Sequence, residues 1–209
     1  GIIGSTLVTT QPKTYYNNTF IGFCSNSGNI NGDSYIGGLC GEAQLGAYKS
    51  YNEGMIEANS SFAGGILGFA PLASITNTAN FNKVIASSYS GGIAGSILAG
   101  SLGINTNLGE VASYHEYAGG MIGDASYLVA NGCSVDVKVT GYGFTGGMVG
   151  SAFEGSFENC TVRGTVNGSW TVGGFAGVLY YSAKAKNCVS YANVESNDWR
   201  CGGFSGVLQ

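Results

Sequence analysis

Six cysteines and one histidine are the candidate thiolate and imidazole groups of this 209-residue chain. A zinc site needs ligands in closely spaced pairs such as Cys-x-x-Cys. No such pair occurs and His115 stands alone, so neither a metal nor a cofactor is expected. His115 with its neighbour Glu116 could in principle pass a proton, but it reads as an isolated surface histidine. What the chain has in abundance is aromatic surface, with 13 Tyr, 10 Phe and 2 Trp. These offer apolar faces with polar tips for stacking on a sugar ring or another protein.

The composition says what kind of scaffold must carry these groups. Charged residues are 10% of the chain, and 37 of 209 residues are Gly. An ordinary globular domain has about a quarter charged residues and about 7% Gly. Glycine costs about 1 kcal/mol at each helix position, so strands and tight turns are expected instead of helices. A net charge of -4 with eight scattered Lys and Arg gives no footprint for a phosphate backbone, and nucleic acid is not an expected partner. No apolar run is long enough to span a bilayer.

An internal repeat organises the chain. Gly-Gly-apolar-x-Gly occurs seven times, with the Gly pairs at Gly37-Gly38, Gly64-Gly65, Gly91-Gly92, Gly119-Gly120, Gly146-Gly147, Gly173-Gly174 and Gly202-Gly203. The spacings are 27, 27, 28, 27, 27 and 29 residues. Leu39, Ile66, Ile93, Met121, Met148, Phe175 and Phe204 follow the pairs and predict one core wall. Ile30, Ile56, Val84, Val111, Val139, Val166 and Val194 recur in a second column flanked by polar residues, which predicts a strand with one inner face. The invariant third glycine of each copy is read as a corner, requiring either positive φ or close backbone approach.

A unit with two short strands, three at most, cannot bury its apolar face alone, but stacked copies can. The prediction is an all-β fold, a β-solenoid (β-helix) of about seven coils, forming one domain over residues 1–209 and, at about 4.8 Å per coil, a rod on the order of 30 Å long. Residues 5–23 do not fit the period and are expected to form an irregular opening stretch. Both ends cut across a repeat, so the parent array is expected to continue.

Stacking turns repeat positions into ladders. Cys24, Cys133, Cys160 and Cys188 share a column with Ser50, Thr78 and Asn105, and are expected as buried free thiols because in-register side chains do not offer the disulfide torsion. Asn26, Asn52, Asn80 and Asn107 predict an internal amide ladder. Tyr35, Phe62, Tyr89, Tyr117 and Phe144, continued one position upstream by Trp170 and Trp199, form a stripe whose direction is open. Facing inward it is core; facing outward it is a recognition surface. Glu53, Asp136 and Tyr191 share a column with Phe81, Leu108 and Arg163, so no stacked pair of carboxylates for acid–base chemistry emerges and no enzyme is expected. Four Asn-x-Ser/Thr sequons, at Asn17, Asn59, Asn159 and Asn167, are no more than this Asn-, Ser- and Thr-rich composition produces by chance.

Gly-Gly-Leu-Cys-Gly, Gly-Gly-Ile-Leu-Gly and Gly-Gly-Met-Val-Gly resemble the GLUG motif of large secreted proteins, found in bacterial surface adhesins and in non-catalytic repeats of IgA-cleaving peptidases. The resemblance covers essentially the whole chain but concerns scaffold glycines and core aliphatics. It implies an extracellular or cell-surface location and a structural or adhesive rod, a surface spacer or filament-forming segment that stacks end to end. A glycan- or protein-binding module using the aromatic stripe is the alternative, with host or self surface glycans or proteins as partners. An accessory domain of a secreted peptidase is the second alternative.

Overall fold

The computed structural model describes residues 3–5 and 20–209. Each winding of the chain runs along three sides, and each side is a parallel sheet. In the coil that follows Gly91-Gly92, Ala94–Ile97 and Gly100–Gly103 lie in the first sheet, Thr106–Asn107 and Val111–Ser113 in the second, and Tyr117–Gly119 in the third. Among the described residues these sheets hold thirteen, twelve and seven strands, and there is no helix. The chain is a β-solenoid of about seven turns. The sequence columns indicate two or three strands per unit, whereas this coil has five short ones. The extra strands are Gly-, Ser- and Asn-rich and only two to four residues long, so they leave no apolar alternation to read.

Register follows the repeat. Gly37, Gly64, Gly91, Gly119, Gly146, Gly173 and Gly202 are successive partners across the third sheet. Ile30, Ile56, Val84, Val111, Val139, Val166 and Val194 are partners across the second. Leu39, Ile66, Ile93, Met121, Met148 and Phe175 are buried, as are Ile56, Val84, Val111, Val139 and Val166. Each such side chain withdrawn from water contributes about 1.5–3 kcal/mol. Only where the stack ends, at Ile30, Val194 and Phe204, do the walls become half-exposed.

The corners are not where the glycine pattern suggests. The third glycine of each copy, such as Gly95, lies inside a strand with negative φ, and the bend falls on the second Gly and the apolar residue after it. Gly95 is required by close approach: a Cβ there would stand 2.6 Å from the carbonyl oxygen of Gly68 in the preceding coil. The sharp corner sits elsewhere, in a column of left-handed residues with φ between 45° and 67°: Phe23, Lys49, Asn77, Ile104, Gly132, Asn159 and Asn187. Only one of these is glycine, which is why composition hides the corner.

The cysteine column follows that corner directly and has a structural role there. The thiols of Cys24, Cys133, Cys160 and Cys188 and the hydroxyl of Ser50 each donate to the carbonyl two residues back, across the left-handed residue. Small donors therefore fill the column. All six cysteines are free thiols.

Most of the 5–23 stretch, residues 6–19, lies outside the described residues. At its edges Ile3–Ser5 and Phe20–Gly22 are strands paired in parallel with Cys40–Tyr48, so these positions belong to the solenoid.

Candidate aromatic recognition face

Tyr89 is half-buried while Ser90 beside it is fully buried, and strand alternation therefore turns the ring outward. Phe62, Tyr117 and Phe144 are likewise half-buried beside a buried residue, and Tyr35 at the end of the stack is exposed. Tyr35, Phe62, Tyr89, Tyr117 and Phe144 stack coil on coil, with centroids 5.1, 4.4, 5.0 and 5.5 Å apart and near-parallel planes. The two readings of the stripe thus coexist: the ring faces pack on one another while their outer edges meet solvent. Aromatic pairs at these separations contribute about 0.5–1.5 kcal/mol beyond the area they bury.

Trp170 and Trp199 do not continue the stack. The register partner of Phe144 is Thr171, and that of Thr171 is Arg200, which leaves both indoles in the turn before the strand. Trp170 is 49% exposed and stands at 66° to Phe144, 6.3 Å away; Trp199 is 71% exposed, with the Arg200 guanidinium 6.0 Å over its ring.

Turn length creates a recess beside the stack. Between the second and third sheets the chain takes residues 114–116 in one coil, 142–143 in the next, 169–170 in the next and 197–199 in the last. Two short turns are thus flanked by longer ones, and Gly143 leaves the floor without a side chain. Backbone hydrogen bonds hold the turns in stack, from Phe144 N to Glu116 O at 2.7 Å, Trp170 N to Tyr142 O at 3.0 Å and Thr171 N to Gly143 O at 3.2 Å. The resulting open cavity of about 330 Å³ is lined by His115, Glu116, Tyr117, Tyr142, Gly143, Phe144 and Trp170.

Around it the charge is negative. Burial pushes the Tyr89 phenol above its usual range, and the Glu116 carboxylate beside it pushes it further. The Tyr117 phenol is raised by burial, then by Asp124 and Glu116. Asp124 is itself raised by burial, with Ser151 opposing and Glu116 reinforcing. A column-by-column reading misses Glu116 with Asp124, whose charges couple across the bend at Gly120 and Met121. Among the described residues Glu116 has no ion-pair partner; the pairs present are Lys83–Glu110 and Lys186–Glu158.

No protein-family model, curated protein or solved structure matches the chain.

The remaining predicted positions are scaffold. The glycine pairs line the third sheet and its bend. Asn26, Asn52 and Asn80 each donate 2.8 Å to the amide oxygen of the next Asn in the ladder, and the same side-chain nitrogens donate to carbonyls two residues on. Asn107 ends the run by donating to Gly109 and Gly120. With its donors used in this way, the ladder serves the fold and not a ligand. Among the described residues no group of three or more His, Cys, Asp or Glu is placed to hold a metal.

Tyr142 is the recess residue that column reading misses, because it lies in a turn outside every strand column. The available signal was the 28-residue spacing between Gly91 and Gly119, which marks a longer turn against its shorter neighbours.

Proposed function

We propose that this chain is a non-catalytic repeat rod of an extracellular or cell-surface protein, serving as a spacer, adhesin stalk or filament-forming segment. The observation that carries the reading is the parallel register kept over seven coils, continuous in the third sheet, which supplies length and stiffness while using its polar ladders internally. The resemblance to GLUG-motif repeats supports it. Negative-stain electron microscopy tests the rod: straight particles of uniform width, one coil section across, are expected, and compact or bent particles would count against it.

The outward aromatic stack favours a second reading, a binding module for glycans or proteins on the same rod. Glycan-array signal lost on Tyr89→Ala or Tyr117→Ala would favour that module over a bare spacer.

A further inference from the structure

Of this chain's exposed aromatic groups, several already carry a cation. Lys49 lies 5.6 Å from the centroid of Phe23 and 5.1 Å from that of Tyr48, Arg163 lies 5.0 Å over Tyr191, and Arg200 sits over Trp199. The recess at Trp170 is lined by four aromatic residues and a carboxylate, with His115 beside them and no Lys or Arg. Its walls meet at a wide angle, with the Trp170 plane 66° from Phe144 and Tyr117 stacked within 12° of Phe144.

From this charge complementarity we propose that the recess binds a quaternary ammonium group, held by Trp170, Tyr142 and the face of Phe144 turned away from Tyr117, with Glu116 as counter-charge. Aromatic faces attract cations through the ring quadrupole, most strongly when the cation has shed its water. A primary ammonium brings three N–H donors that each need an acceptor and is strongly hydrated. Trp170 and Tyr142 lie outside the stack and Glu116 supplies the negative charge, so a cation without N–H donors, which needs no further acceptors, fits this lining. A sugar is the competing ligand, because Glu116, His115 and the two Tyr hydroxyls can meet its hydroxyls, and the glucoside arm of the test separates the two. At about 330 Å³ the cavity is at the small end for ligand pockets, suited to a compact head group. The inference does not depend on the rod reading.

The test uses the full chain carrying Trp199→Phe, so that indole fluorescence reports Trp170 alone. Choline, Nε-trimethyl-lysine amide, the uncharged carbon isostere 3,3-dimethylbutan-1-ol and methyl β-glucoside are titrated in turn. Saturable quenching by the two quaternary ammonium compounds is expected, with the isostere about tenfold weaker. The tighter of the two identifies whether a small head group or a modified side chain is the natural source. Glu116→Gln, which keeps shape and removes charge, is expected to weaken choline about fivefold to tenfold, with an unchanged circular dichroism spectrum as the check on folding. Equal affinity for choline and its isostere would overturn the proposal. So would saturation by the glucoside without choline, or no saturable quenching by either ammonium compound.

Discussion

Thr145 carries a buried hydroxyl that finds no hydrogen-bond partner among the described residues. Its neighbours in the same inner column are Ala118 and Val172, so the site accepts an apolar side chain of this size. Leaving a polar group unpaired costs about 1–3 kcal/mol. Thr145→Val should therefore stabilise the fold by about 1 kcal/mol, read as a raised urea midpoint at unchanged slope. The thiols differ in the same way according to burial. Burial pushes Cys40 up to about 11, against a weaker opposing hydrogen bond from the Glu42 backbone. Thiolate is the reactive form, so at pH 8 about one Cys40 in a thousand is ionised. Cys201 is exposed. Mass spectrometry after brief iodoacetamide treatment should find Cys201 alkylated first and Cys40 untouched until the protein is unfolded.

At the scale of an element, the left-handed corner and the amide ladder set how one coil fits the next. Ile104 holds φ of 55° with a β-branched side chain that is 64% exposed, a conformation disfavoured by about 1–2 kcal/mol. Asn occupies the equivalent corner at Asn77, Asn159 and Asn187. Ile104→Asn should raise the melting temperature by a few degrees, since little packing is lost and the strain is relieved. The ladder responds in the opposite direction. Asn80→Ala would remove one of two acceptors from the buried Asn52 amide and one of two donors from the buried Asn107 Oδ1, and would break the Asn80 bond to the Asn82 carbonyl. A loss of about 2–4 kcal/mol is expected, measured by urea unfolding.

For the whole molecule, stability is the sum of coils and the contacts between them. Gly119 and Gly146 are register partners, so removing residues 119–145 deletes one winding and joins equivalent positions. That deletion should retain the β spectrum and a cooperative melt. Removing residues 119–132 cuts half a winding, moves the apolar walls out of line and should leave the chain unfolded. At this scale the described residues contain no helix long and apolar enough to cross a membrane.

Much of this architecture was legible before any coordinates. The recurrence of Ile56, Val84 and Val111, the glycine pairs and the four asparagines determined a stacked parallel fold by themselves, because a side chain that must be buried or paired in every coil restricts its column to a few residue types. Positions held only by backbone bonding carry no such restriction. For that reason the three-sided section, the left-handed corner at Phe23, Lys49 and Ile104, and the outward turn of the Tyr89 stack were settled by the tertiary structure. The recess at Tyr142 and Trp170 belongs with them: it exists because turns of unequal length come to lie side by side, and that relation appears only once the chain has wound.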